Sequence, residues 1–185
     1  MLGIDPGLQR TGYACLEGDA EAPSIVEAGV IRLRCRDEGA GSVAGRLCEL
    51  DRDFRECLSR LAPEAVAVEA LFAHYKHPAT AIVMGHARGV LLLAIRQAGL
   101  DLVELRPAVV KKAATGYGRA TKEQVQRSVQ AAFGLASIPE PPDVADAIAI
   151  AWCASRRGTQ TVGALEGARG ALLSGARGGR RRRAV

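Results

Sequence analysis

The stretch LGIDPGLQRTGYACL, residues 2–16, decides the fold. Leu2-Gly3-Ile4-Asp5 is a short apolar run that ends in an acid, and Pro6-Gly7 breaks it. Gly12 to Leu16 resumes as a strand. A polar turn through Asp19 and Pro23 follows, and Ile25 to Leu33 is a longer β-rich run. Three strands with short connections predict an antiparallel meander.

Beyond the meander the period changes from two to between three and four. Leu47, Leu50, Phe54, Leu58 and Leu61 recur at helical spacing, with Arg46, Glu49, Arg52 and Arg55 between them, which predicts an amphipathic helix. Ala65-Val66-Ala67-Val68-Glu69 reads as a buried strand with an acid at its end. A second helix is predicted from about Pro78 to Ala98, a further strand over Asp101–Leu105, a third helix over about Thr121–Phe133 and a fourth over about Pro142–Arg156. Strand, helix, strand, helix, strand implies parallel crossovers, so the fold class is α/β: a mixed sheet with helices on its faces.

The length of 185 residues suits one domain with an appendage. With 48% hydrophobic and 24% charged residues, a core can form without disulfides or structural metal. The five cysteines, Cys15, Cys35, Cys48, Cys57 and Cys153, are odd in number and lack Cys-x-x-Cys spacing. They are expected to be reduced thiols in a cytoplasmic protein. No uninterrupted apolar run approaches the roughly 20 residues of a membrane span, and no secretory signal is expected. From Arg156 onward eight arginines face one acid, a net of +7 against +5 for the whole chain, so residues 1–155 carry −2. The division expected is a folded domain over 1–157 and a Gly/Arg-rich basic tail over 158–185, without fixed structure.

Four acids interrupt this pattern where apolar residues would otherwise stand. Asp5 and Glu69 each close an apolar strand, and sites in sheets with parallel crossovers gather at strand C-terminal ends. Asp143 and Asp146 lie one turn apart at the start of the fourth helix, whose continuation Ala147–Ala154 is apolar all round and therefore buried. Each acid alone has a structural reading: an Asx turn before Pro6, a surface strand end, a helix cap after Pro141-Pro142. Together, with no histidine or lysine adjacent in sequence, they predict a hard-cation site for Mg²⁺, or Mn²⁺ in its place, two ions per site. Two such ions suit in-line phosphodiester hydrolysis.

Two further groups suit a polyanion. Phe72, Tyr75 and Lys76 follow Glu69 in a segment that interleaves aromatic and basic residues, fit either for stacking on bases or for anchoring a loop. His74, His77 and His86 read as loop or interface residues rather than ligands. Lys111, Lys112, Arg119 and Lys122 form the basic cluster of the body, either a solvated face or a phosphate contact, with Gly116 and Gly118 between them. Gly85 and Gly89 form a small-residue row on the second helix, suited to close packing, on residue pattern alone against the sheet.

The segments LGIDPGLQRTGYA (2–14), VEALF (68–72), GHARGV (85–90), VKKAATGYGRATKEQVQ (110–126) and DVADAIAIA (143–151) resemble, in order and spacing, those of the RuvC family of Holliday junction resolvases. The resemblance covers about 1–157. It implies a ribonuclease-H-like fold with a five-stranded mixed sheet, a three-strand antiparallel meander plus two parallel strands. It further implies a homodimer that resolves a four-way DNA junction by paired symmetric nicks, leaving 5′-phosphate and 3′-hydroxyl ends, in partnership with the RuvA–RuvB branch-migration complex. The resemblance puts the metal-binding, catalytic tetrad on Asp5, Glu69, Asp143 and Asp146, the catalytic lysines on Lys111 and Lys122, and the junction probe on Phe72. Lys112 and Arg119 become supporting phosphate contacts, and Gly85 and Gly89 a dimer contact. Two other readings stay open on sequence alone: a related nuclease that processes precursor ribosomal RNA, and a non-catalytic junction-binding protein, which would not need four acids.

Overall fold

A computed structural model describes residues 1–33, 40–70 and 78–157. Strands β1 (Leu2–Asp5), β2 (Arg10–Glu17), β3 (Ser24–Arg32), β4 (Ala65–Glu69) and β5 (Asp101–Leu105) form one sheet in the order β3-β2-β1-β4-β5. The β1–β2 and β2–β3 pairs are antiparallel, and β1–β4 and β4–β5 are parallel. This is the expected meander plus two parallel strands. Helices α1 (Ala40–Leu61) and α2 (Pro78–Gln97) are the crossovers from β3 to β4 and from β4 to β5.

Strand alternation sends neighbouring side chains to opposite faces of the sheet. Leu2, Ile4, Val66 and Val68 point to one face, where they meet Leu50 and Phe54 of α1 and Leu91 and Ile95 of α2. Ala14, Ala67, Val103 and Leu105 point to the other, where they meet α5 (Pro142–Arg157). The all-round apolar reading of that helix holds: Val144, Ala145 and every residue from Ala147 to Ala151 are buried, with Cys153 and Ala154. Cys15, Cys57 and Cys153 are buried and Cys48 exposed, all four as free thiols.

Two readings need correction. Where one helix was predicted after β5 and before α5, there are two, α3 (Pro107–Thr115) and α4 (Lys122–Ala132). Pro107 opens α3 at its first turn and Gly116 closes it with φ 79°, a conformation that favours glycine, and Lys111 and Lys112 stand on this helix. The second correction concerns α2. Residues Ala79–Gln97 are long and apolar enough to cross a membrane by length and composition, with mean hydropathy 1.3. No unbroken apolar run marks them in the sequence, because His86, Arg88 and two glycines interrupt it. In the fold this helix packs on α1 and β5.

Candidate active site

Asp5 and Glu69 end adjacent parallel strands, so the ladder that pairs Ile4 with Val68 delivers both carboxylates to the same edge of the sheet. The chain beyond Asp5 is pinned: the Thr11 hydroxyl donates to the Gly7 carbonyl at 2.7 Å and accepts from the Gly7 N–H at 3.3 Å. Helix α5 crosses β1 and β2 and brings Asp143 and Asp146 over that edge.

Two glycines make this crossing possible. A Cβ on Gly12 would stand 2.1 Å from the Asp143 carbonyl oxygen, and one on Gly3 would stand 2.3 Å from the Ala147 carbonyl oxygen. Both contacts are with main chain, which cannot swing aside. Glycine at these positions of β1 and β2 therefore lets the helix backbone lie directly on the strands. The sequence reading treats Gly3 and Gly12 only as strand residues; their periodicity gives no hint of what crosses above them.

Asp5, Glu69 and Asp146 line one cavity of about 220 Å³, together with Lys111 from α3 and Lys122 from α4. Asp143 lines an adjoining groove that it shares with Asp5 and Lys122. Burial, then the nearby Asp146 and Glu69 carboxylates, push the Asp5 carboxyl up to about 8. Glu69 is raised chiefly by burial and then by Asp146, with Lys122 and Lys111 pulling the other way. Crowded, desolvated carboxylates of this kind stay ionised only when a cation is supplied.

Two cations are supplied by the chain itself. Lys122 Nζ donates to Asp146 Oδ2 at 3.2 Å, and Arg10 Nε lies 3.6 Å from Asp143 Oδ2. Burial would lower the Lys122 ammonium, but Asp146, with Asp5 and Asp143, holds it above its usual range. Lys122 is the first residue of α4, where a positive charge opposes the helix dipole. A capping box fixes that turn: Gln124 N–H donates to Thr121 Oγ1 at 3.2 Å, and Thr121 N–H donates to Gln124 Oε1 at 2.8 Å. In residue order no histidine or lysine adjoins the acids, and only the resemblance points to Lys122; folding brings Lys122 and Arg10 to them from distant elements. Arg10 lies inside the opening stretch, but nothing in that stretch marks it as a partner of Asp143.

Among the described residues, no three acid, histidine or cysteine side chains stand as a ready-made ligand cage. The donor set nevertheless fits a hard divalent cation. It is all carboxylate oxygen, and Asp143 Oδ2 is buried with no hydrogen bond, its Arg10 neighbour lying beyond hydrogen-bond reach. Of the other predicted residues, Lys111 reaches the acid cavity, whereas Lys112 and Arg119 are exposed and line neither the cavity nor the groove. Phe72, Tyr75 and Lys76 lie outside the described residues, as do His74, His77, Cys35 and the 158–185 tail.

The family model described as crossover junction endodeoxyribonuclease RuvC matches residues 1–154. The RuvC of Rhodopirellula baltica is 46% identical over 153 residues, covering 83% of this chain and 84% of that protein. The RuvC of Moorella thermoacetica is 44% identical over 153 residues, covering 83% and 89%. Among solved structures, T. thermophilus RuvC in complex with a Holliday junction substrate superposes with a TM-score of 0.76 at 33% identity, covering 85% of this chain and 95% of that one. The sheet is thus that of a ribonuclease-H-like domain. With acids at the ends of β1 and β4 and at the head of α5, and with a family match running from the first strand nearly to the end of the last helix, the chain belongs to the RuvC family of crossover junction endodeoxyribonucleases.

Proposed function

We propose that this protein is a Mg²⁺-dependent endonuclease that resolves Holliday junctions in DNA recombination and repair, by paired symmetric nicks leaving 5′-phosphate and 3′-hydroxyl ends. The observation that carries the reading is the convergence of Asp5, Glu69, Asp146 and two lysines on one cavity, with Asp143 in the groove beside it. Asp5, Glu69, Asp143 and Asp146 are the oxygen ligands. They would hold Mg²⁺ or Mn²⁺, two ions per site, and the chemistry so supplied would be activation of water and stabilisation of the leaving 3′ oxygen. Lys111 and Lys122 hold the scissile phosphate and offset the negative charge that grows on it. The Lys122 side chain is 70% exposed and its ammonium lies on Asp146, so it spans the distance between the acids and a strand lying over them. Phe72, Tyr75 and Lys76 meet the bases and phosphates of the junction, and Lys112 and Arg119 contact flanking phosphates.

The working unit is a homodimer, one site for each of two like-oriented strands. Its face is α2. Ile82 and Leu93 are 60% and 56% exposed there, and no atom of the described residues lies within 4 Å of where a Cβ would stand on Gly85 and Gly89. These glycines therefore do not serve packing against their own sheet, and an apolar helix face of this kind needs a partner. The folded domain over 1–157 performs the reaction, and the basic tail over 158–185 adds salt-sensitive affinity for DNA. The setting is the cytoplasm, alongside the RuvA–RuvB branch-migration complex.

Labelled four-way junction, linear duplex and RNA, each incubated with Mg²⁺, test this reading. Paired nicks confined to the junction, and abolished by chelation, are the expected result. Binding without nicking would make the protein architectural, and preferential cutting of RNA would move it to ribosomal RNA processing.

A further inference from the structure

Arg88 lies on α2, outside the groups assigned above to cation or phosphate. Its side chain is 13% exposed, the least of any cation in the described ion pairs. A guanidinium so far out of water is costly unless its donors are met. One nitrogen, Nη2, donates to Glu104 Oε2 at 2.5 Å, and Nε donates to the main-chain carbonyl of Glu69 at 3.2 Å. On the other side of the same peptide unit, the Ala70 N–H donates to the Leu105 carbonyl at 2.8 Å. The Glu69–Ala70 peptide is therefore held at both its oxygen and its hydrogen. The β4–β5 side of the sheet, where Glu69 pairs with Leu105, holds the hydrogen; the β1–β4 ladder ends at the Ile4–Val68 pair, one residue short of Glu69, and the oxygen is met by Arg88.

We propose that Arg88 is a positioning residue for the Glu69 carboxylate. By fixing the carbonyl of Glu69 it fixes the backbone from which the carboxylate projects, and Glu104 holds the guanidinium in the plane that does so. The planar fork is essential, because a lysine ammonium has no second nitrogen with which to span a carbonyl and a carboxylate. This inference rests on the reading of Glu69 as a cation ligand.

The test is Mn²⁺ binding without DNA, followed by the electron paramagnetic resonance signal of the free ion. It uses full-length wild type, Arg88→Ala, Arg88→Lys and Glu104→Gln, with Glu69→Gln as reference. Arg88→Ala and Arg88→Lys should bind Mn²⁺ about 10–100-fold more weakly, as groups that orient metal ligands do. Glu104→Gln keeps an acceptor for the guanidinium and should weaken binding less than Arg88→Lys. For Arg88→Lys, kcat on the junction should fall and recover with raised Mg²⁺, while KM for the junction stays unchanged. A merely structural contact would not give that split. Should Arg88→Ala fail to fold, Arg88→Lys and Glu104→Gln decide the matter. A folded Arg88→Lys that binds Mn²⁺ as tightly as wild type overturns the proposal. Wild type that takes up no Mn²⁺ at all would instead overturn the ligand reading of Glu69, a separate failure.

Discussion

The two faces of the sheet are packed by opposite means. Toward α1 and α2 the core is bulky: Leu2, Ile4, Leu50, Phe54, Leu91 and Ile95 are fully buried, each worth about 1.5–3 kcal/mol when removed from water. Toward α5 it is small where the helix crosses β1 and β2: Gly3 and Gly12 let its backbone lie on the strands, with Ala14, Ala67 and Ala147 beside them, while Val103, Leu105, Ile148 and Ile150 fill the rest. Large side chains hold a helix at a distance and adjust by changing rotamer, whereas a helix seated on glycine and alanine has no such slack. The acids stand on the rigid side. This sheet uses one face for stability and the other to fix where four charges lie.

Changing a charge while leaving the packing intact should separate the two faces most. Asp5→Asn should lower junction cleavage by at least about 10²-fold, since even groups behind the ligands cost that much, while junction binding persists in a mobility-shift assay. Retention of near wild-type nicking would remove Asp5 from the site.

The same residue gives the next largest effect, on stability in the absence of divalent cations. Its carboxyl titrates near 8 in the folded chain, raised chiefly by burial, against about 4 when unfolded. Between those limits the folded state holds a proton that the unfolded state has lost, so stability falls as pH rises from about 4 to 8. Chelated wild type should thus melt lower at pH 8 than at pH 5, by on the order of a few kcal/mol from this group. Asp5→Asn should flatten the slope and melt higher than wild type at pH 8. An unchanged slope in the variant would show that Asp5 is not the buried acid responsible.

Geometry comes third. Gly12→Ala should destabilise by about 1–3 kcal/mol or more and lower kcat in the folded fraction, because the new methyl displaces Asp143. A variant that loses stability but keeps wild-type kcat would show that the close crossing serves packing alone. The smallest effect belongs to the other face. Ile95→Val, fully buried between α2 and the sheet, should cost about 0.5–1.5 kcal/mol in denaturant unfolding and leave kcat unchanged. A fall in kcat there would mean that the bulky face also sets the geometry of the acids.

Much of this molecule is legible in the chain itself. The meander, the parallel crossovers, the buried α5 and the placement of Asp5 and Glu69 at strand ends all follow from hydrophobic period and from breakers such as Pro6-Gly7. These signals repeat over several residues, so each is read many times over. The α3 helix goes unread: Pro107 and Gly116 mark its ends, but nine residues is a short span for a period to declare itself.

Other features have no such signature. That Arg10 lies by Asp143, Lys122 on Asp146 and Arg88 on the Glu69 carbonyl depends on which elements cross, and how closely. Sequence fixes which side of a strand or helix a residue occupies, because burial is a property of its own position. The partner of a charge is a property of two distant positions and of the backbone clearance between them. Here that clearance is set by the missing side chains of Gly3 and Gly12, and only the assembled sheet and helix reveal what their absence makes room for.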